Sequence, residues 1–158
     1  MAVILRTVLF ICFAFFIIAC SADSIEEPKL FETFNDQTLE VQVMDIINKH
    51  RESLGLTTLT FNETAYASAN DHNDYMILQG ILSHDNFNSR ASKIVATVHA
   101  KAVGENIASG YLSAESVFKG WITSPEHKKT LENDFTHAAV SVKKNTDGEI
   151  YYTHIFYK

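Results

Sequence analysis

Apolar and polar positions repeat with helical spacing in two separate segments of residues 36–80. In the first segment the repeating stripe consists of Leu39, Val43, Ile46, Ile47, His50 and Leu54. In the second segment it consists of Ala65, Ala69, His72 and Met76. Side chains spaced by three or four residues share one face of a helix. The pattern therefore predicts two amphipathic helices, the second with alanines that allow close packing.

Residues that commonly begin and end helices stand at the ends of both segments. Asp36 and Asn62 precede the stripes, and their short polar side chains can accept a hydrogen bond from the first helical turn. Gly55 and Gly80 follow the stripes and can adopt the left-handed conformation that ends a helix. The sequence thus predicts helix boundaries close to these four residues.

The next part of the chain has a weaker pattern. Residues 83–88 are rich in turn-forming side chains, and residues 89–99 have weak helical character. Residues 103–110 fit either a loop or a short strand. We therefore predict one irregular helix and one ambiguous segment here.

A third clear helix follows Ser113, which can cap it. It contains Val117, Phe118 and Trp121 and should end at Ser124-Pro125, since a residue before proline avoids helical geometry. The polar and basic residues 126–133 are expected to form a turn.

The C-terminal part is typical of β-structure. Residues 136–144 and 149–157 are rich in Val, Ile, Tyr, Phe and Thr, and Asn145-Thr146-Asp147-Gly148 between them is a turn signal. Both faces of the last segment are apolar, so both should be covered. Helices first and antiparallel strands last predict an α+β fold.

The N-terminus has the pattern of an export signal. Arg6 precedes an apolar run that ends in Ile17-Ile18-Ala19-Cys20, and no acidic residue occurs before Asp23. The end of this run resembles the lipobox of bacterial lipoproteins, which implies a signal peptide of residues 1–19 and acylation of Cys20. The alternative is a plain signal peptide cut near Ser21 or Ala22. Residues 20–35 would be a tether and residues 36–158 the folded domain.

This interpretation predicts an exported protein, held at a bacterial envelope through a lipid anchor or released outside the cell. The only cysteines are Cys12 and Cys20, so the folded domain should contain neither a disulfide nor a thiol nucleophile. The net charge is −6, which argues against nucleic acid as a partner.

Common catalytic signatures are absent from the sequence. There is no G-x-S-x-G elbow, no H-E-x-x-H zinc helix and no phosphate-binding loop. The sequence has seven histidines, several of them in short polar clusters. Neutral imidazole binds zinc or copper and carries protons near neutral pH, but an excess of histidine is a weak signal alone.

A series of short motifs over residues 40–158 resembles, in order and spacing, bacterial members of the CAP family (cysteine-rich secretory protein, antigen 5 and pathogenesis-related proteins), also called the SCP domain. The motifs are Ala69 with His72-Asn73-Asp74-Tyr75-Met76, Leu82-Ser83-His84, Arg90, Gly104-Glu105-Asn106-Ile107-Ala108, Trp121 with Ser124-Pro125 and His127, Phe135-Thr136-His137, and Tyr151-Tyr152-Thr153 with Ile155-Phe156. The resemblance implies a three-layer α-β-α sandwich with a small central antiparallel sheet.

The family resemblance also implies a cleft in which two histidines and one or two glutamates hold a divalent metal, often zinc. By motif position these residues are His84, Glu105 and His127, with Glu126 a less well matched second acid. Two imidazoles and a carboxylate would leave an open position on the metal.

Each of these residues also has a structural alternative. Glu105 could cap a helix or accept backbone N–H groups, and His127 could cap free carbonyls at a helix end. His72 is expected to be a hydrogen-bonded histidine in the core or at the cleft edge rather than a ligand. His137 and His154 are expected to be sheet residues.

Three aromatic side chains could line a groove, but their helical spacing favours a place in the core: Tyr75, Tyr111 and Trp121. The sequence departs from the bacterial pattern at three places. Glu126 replaces a glycine, Ala139-Val140-Ser141 replaces Gly-x-Gly, and His154 replaces a common glutamine. The strand changes should preserve regular pairing, whereas Glu126 and His154 could alter the site.

Three functions remain open from the sequence. The first is a binding module whose cleft holds a metal and a lipid, sterol or peptide without turnover. The second is a zinc-dependent peptide or ester hydrolase, with Glu105 as general base and His84 and His127 on the metal. The third is a hydrogen-bond network that binds no metal.

Overall fold

The computed structural model describes residues 33–158. Its helices are α1 (Gln37–Ser53), α2 (Glu63–Gln79), α3 (Phe87–Val98), α4 (Ala114–Thr123) and α5 (Pro125–Leu131). Its strands are β1 (Phe34–Asn35), β2 (Thr60–Phe61), β3 (Val103–Ser109), β4 (His137–Lys144) and β5 (Ile150–Tyr157). The predicted signal peptide and Cys20 lie outside these residues. Among the helices of residues 33–158, none combines the length and the apolar composition of a membrane-spanning segment.

The predicted caps begin three of the helices. Asp36 Oδ1 accepts from the N–H of Leu39 at 3.1 Å, and Asn62 Oδ1 accepts from the N–H of Ala65 at 3.1 Å. Ser113 forms a reciprocal capping box with Ser116. Each bond satisfies an N–H that has no partner within its helix, which explains why these boundaries were predictable.

The C-terminal hairpin is confirmed. Strands β4 and β5 pair antiparallel along their whole length, from His137 opposite Tyr157 to Lys144 opposite Ile150. Asn145 accepts two backbone N–H groups in the turn, and Gly148 has a φ of 83°, which suits glycine. The changed residues Ala139 and Ser141 keep regular pairing, as predicted.

Segment 103–110, which fitted either a loop or a strand, contains strand β3. This strand pairs antiparallel with β5 and forms one edge of a sheet whose order is β1-β4-β5-β3. The short strand β2 pairs parallel with β4. Strand β1 pairs with Lys143 and Lys144, so the sheet starts within the segment predicted as a tether.

Helices cover both faces of the sheet, which makes the predicted three-layer α-β-α sandwich. Helices α1 and α4 pack on one face around Trp121, Tyr152 and Phe156, all buried. Helix α2 packs on the other face against β4 and β5, close to Ile155. The alternation along β5 sends its side chains to both layers, and every one of them is buried.

The sequence prediction was wrong at two places in the helices. Residues 126–133 were expected to form a turn, but Pro125 occupies the first turn of helix α5, where its missing N–H costs nothing. Leu54 was expected in the buried stripe of α1 but is exposed, since the helix ends at Ser53 and Leu54 is its C-cap.

Candidate functional site

Three elements bring the predicted cleft residues to the β3 edge of the sheet. Glu105 lies in β3, His84 in the loop between α2 and α3, and His127 in α5. Asn106, next to Glu105, points to the other layer, where its Nδ2 donates to the backbone oxygen of His127 at 3.0 Å. The strand alternation therefore ties β3 to α5 through Asn106 and presents Glu105 to the α2 and α3 layer.

The carboxylate of Glu105 is the centre of this site. Its side chain is only 1 % exposed. Nε and Nη2 of Arg90 donate to its two oxygens at 2.8–3.0 Å, and Nδ1 of His84 lies 2.8 Å from Oε1. A buried carboxylate is costly unless it is paired and hydrogen-bonded, and Arg90 supplies both. Glu105 is therefore held as a carboxylate between a guanidinium and an imidazole.

Arg90 is one of the family motif residues, but the sequence alone indicates no role for it. Its Nη1 also donates to the backbone oxygen of Asp85, in the loop that carries His84. Arg90 therefore joins α3, the loop and β3. A basic residue six positions after the motif histidine was the available signal, but only the fold shows that it meets Glu105.

His84 is the exposed member of the cluster. Its side chain is 52 % exposed, and its Nδ1 is hydrogen-bonded to Glu105 Oε1. Nε2 makes no hydrogen bond to the described part of the chain, so this nitrogen is available to a ligand. The carboxylate orients the ring and leaves its opposite edge free, which is the arrangement seen where a second residue orients a metal-binding histidine.

His72 is buried and hydrogen-bonded, in line with its expected place in the core or at the cleft edge. Its Nε2 bonds the backbone oxygen of Ser83 at 2.8 Å and lies 3.9 Å from Oε1 of Glu105. Burial lowers the pKa of His72, although Glu105 acts in the opposite direction. A neutral His72 thus holds the loop next to His84.

His127 is half-buried at the start of α5. Burial lowers its pKa, and the nearby charge of His84 lowers it further. His127 is therefore a neutral imidazole at pH 7, with a lone pair that can bind a metal or accept a proton. Glu126 is exposed and makes no side-chain hydrogen bond or ion pair within residues 33–158, so its place as a second acid of the cleft stays a prediction.

The predicted metal ligands do not form a three-ligand group. Across residues 33–158, no three His, Cys, Asp or Glu side chains are placed to hold one metal ion together. In addition, the cationic guanidinium of Arg90 already contacts both oxygens of Glu105 and so competes with any metal for this carboxylate. The imidazoles of exposed His84 and half-buried His127 remain as donors, and nitrogen donors suit zinc better than they suit a hard cation.

Most of the other residues singled out from the sequence lie away from the cleft. Tyr75 was expected in the core but borders the cleft, where its Oη donates to Asp85 Oδ2 at 3.0 Å in the loop that carries His84. Trp121 is in the core, with Nε1 bonded to the backbone oxygen of Ile107 at 3.0 Å, and Tyr111 packs against the same core. Tyr75 lies over His72 with a 5.9 Å separation of ring centres. His137 and His154 are strand residues, as predicted.

Comparison with known proteins identifies relatives over most of the chain. Residues 44–156 match the model of the cysteine-rich secretory protein family, CAP. The uncharacterized membrane protein YlbC of Bacillus subtilis is 31% identical over 125 residues, which are 77% of this chain and 35% of that protein. The uncharacterized protein YkwD of the same organism is 31% identical over 105 residues, 64% of this chain and 41% of that protein. The chain thus spans well under half the length of these curated relatives.

Solved structures show the same architecture. An outer surface protein of Borrelia burgdorferi superposes with a TM-score of 0.73 at 20% identity, over 82% of this chain and 98% of that one. An extracellular protein with an SCP domain from Bacillus anthracis superposes with a TM-score of 0.66 at 25% identity, over 77% of this chain and 41% of that one. The first likeness concerns the fold alone.

Proposed function

Since the chain belongs to the cysteine-rich secretory protein (CAP) family, we propose that it is an exported protein whose cleft binds a ligand without chemical turnover. One structural relative, at 25% identity, is described as an extracellular protein, which supports export. The lipobox-like sequence before Cys20 supports attachment to the envelope through a lipid anchor.

One observation carries the proposal of a binding cleft. The buried carboxylate of Glu105 holds His84 in one orientation at the sheet edge, with the free ring nitrogen on an exposed side chain and a neutral His127 nearby. Preorganised donors at the surface lower the entropic cost of binding. This arrangement supports a ligand site rather than a purely structural network.

The donor set fits a divalent metal such as zinc, held by His84 and His127. Glu105 would serve as the hydrogen-bond partner that orients His84, because Arg90 already occupies its oxygens. A bound zinc ion would offer open coordination positions to an oxygen of a lipid, sterol or peptide ligand. The chain's own part is to keep the His127 imidazole neutral and to hold the His84 ring in one orientation.

The same contacts argue against a zinc-dependent hydrolase. A general base needs a free lone pair directed at the proton that it takes. Glu105 accepts three hydrogen bonds from Arg90 and contacts His84, so it is poorly placed for that role. Turnover of peptide or ester libraries with added zinc, lost in His84→Ala and Glu105→Gln, would favour the hydrolase instead.

Calorimetric titration of the exported protein with zinc tests the metal site. We expect binding that His84→Ala and His127→Ala each abolish or weaken strongly. Glu105→Gln should weaken binding by roughly 10-fold to 100-fold, the usual effect of losing an orienting partner. Circular dichroism would confirm that each variant folds.

The matched control is His99→Asn. His99 is exposed, lies away from the cleft and has a φ of 56°, which asparagine tolerates. It should bind zinc like the wild type. No binding at micromolar zinc, or wild-type binding by His127→Ala, would contradict the metal site and favour a structural network.

A further inference from the structure

A second concave site lies on the opposite edge of the sheet from the histidine cleft. It is a groove of about 500 Å³ between α1, β2 and the middle of β4. His84, Glu105 and His127 do not line it. We call it the α1–β2 groove.

The walls of the α1–β2 groove expose large apolar side chains. Val41 on α1 is 61% exposed and Phe61 on β2 is 51% exposed. Met44 lines the groove between them, and buried Val140 of β4 is also part of its lining. Apolar side chains grouped in a concave surface are typical of a binding site rather than of scattered surface residues.

The charged side chains that line the groove are both acidic, Glu40 and Asp45. Glu40 is only 7% exposed, and its oxygens accept from Val142 N–H at 2.9 Å, Asn35 Nδ2 at 2.9 Å and Tyr66 Oη at 3.0 Å. All three donors are neutral. Within the described residues neither Glu40 nor Asp45 forms an ion pair, and no lysine or arginine lines the groove beside these two acidic side chains.

Where strand β4 borders the groove, no neighbouring strand pairs with its outer edge. Strand β2 pairs with His137 and Ala138, and strand β1 pairs with Lys143 and Lys144. Val140 lies in the gap between these two pairings. The backbone groups of Val142 in this gap already bond Glu40 and Asp36, so Val140 is the one position where an added peptide backbone could pair with β4.

We propose that the α1–β2 groove binds a short extended segment of a partner protein that carries a lysine or arginine beside an apolar side chain. The basic group would pair with exposed Asp45, since the oxygens of buried Glu40 already accept three hydrogen bonds, and the apolar group would contact Val41 and Phe61. The acidic lining selects against an acidic or a purely apolar segment. This proposal is independent of the metal cleft.

The test uses the full chain and a fluorescein-labelled pentapeptide, Ser-Leu-Lys-Leu-Ser, with fluorescence anisotropy as the readout. Two further peptides replace the lysine by glutamate or both leucines by serine. The lysine peptide should bind most tightly. Equal binding of the glutamate peptide would overturn the proposal.

Variants of exposed residues locate the binding without risk to the core. Asp45→Asn should weaken binding roughly twofold to fivefold, the effect of one exposed ion pair, and Asp45→Lys should shift the preference toward the glutamate peptide. Val41→Ser should weaken binding, whereas Val95→Ser on α3, a comparably exposed valine, should leave it unchanged. The same loss in both valine variants would refute the groove as the site.

Two other occupants are separate outcomes of the experiment. Competition by phosphatidylcholine vesicles without lysine would indicate a lipid surface and overturn the peptide proposal. Concentration-dependent association of the protein alone, abolished by Val41→Ser, would indicate a second copy of the chain and also overturn it.

Discussion

His154 should make the protein lose stability as the pH falls below neutrality. This histidine is fully buried beside Trp121 and Phe156, and neither ring nitrogen has a hydrogen-bond partner within residues 33–158. Burial lowers its pKa to about 3 from the ordinary 6.5, and Arg51 adds to the effect. The folded protein therefore keeps His154 neutral over a range in which the unfolded chain binds a proton.

The sign and size of the stability change follow from the difference between the pKa of His154 in the folded and in the unfolded state. Between pH 6.5 and about 3 the unfolded state binds more protons, so the free energy of unfolding falls as the pH falls. Each pH unit in this range lowers the free energy of unfolding by about 1.4 kcal/mol. From pH 7 to pH 5 His154 alone should remove about 2 kcal/mol, which is a large part of a small domain's stability.

The assay is urea unfolding at pH 7 and pH 5, followed by the fluorescence of Trp121, the only tryptophan. His154→Leu replaces the imidazole by an apolar side chain and should reduce the pH-dependent loss by about 2 kcal/mol. At pH 7 it should also stabilise the protein by about 1 kcal/mol or more, since two unpartnered nitrogens leave the core. The free energy of unfolding should fall with urea concentration at the same slope in the variant as in the wild type.

The pKa values of His72 and His127 are also lowered, so both residues add to the loss of stability at low pH. Both remain in the His154→Leu variant. The comparison therefore isolates His154. His99→Asn is the control and should keep the full pH dependence of the wild type. An unchanged difference between pH 7 and pH 5 in His154→Leu would refute the reasoning.

Two further predictions concern packing around the site's supporting elements. Buried Arg51 donates to four backbone oxygens, among them that of Leu131. In urea unfolding, Arg51→Met should therefore lower the free energy of unfolding by about 3 kcal/mol or more. The control Lys49→Met, on the exposed face of α1, should change that free energy by less than about 0.5 kcal/mol. A Cβ at Gly104 would lie 2.9 Å from Phe135, so Gly104→Ala should cost about 1–3 kcal/mol by thermal unfolding, and Phe135→Leu in the same chain should recover part of it. Additive losses in that double variant would contradict a direct clash.

The contacts of Glu105 differ from those that the family resemblance implied. The family resemblance implied a metal ligand, whereas the contacts make it the partner of Arg90 and His84. This matters for function because a carboxylate in an ion pair orients a neighbour, while a free carboxylate binds a metal or takes a proton. Zinc titration of Glu105→Gln distinguishes these roles by the size of the loss.

Local sequence alone determined the main helices and the hairpin. Asp36, Asn62 and Ser113 cap helices through bonds to residues three positions away, and the turn at residues 145–148 closes the hairpin. These interactions join neighbours in the chain, so the pattern of residue types was sufficient to predict them. The order of the motifs likewise indicated the family and its sandwich.

Only the tertiary structure decided how the charged groups are paired. Glu105 meets Arg90 because α3 packs beside the edge strand β3, and nothing in the local pattern reveals that contact. In the same way Glu40 is buried with neutral donors, and His154 lies against Trp121 with none. The physical reason is that burial and partners set the behaviour of a charge, and both come from residues distant in the chain.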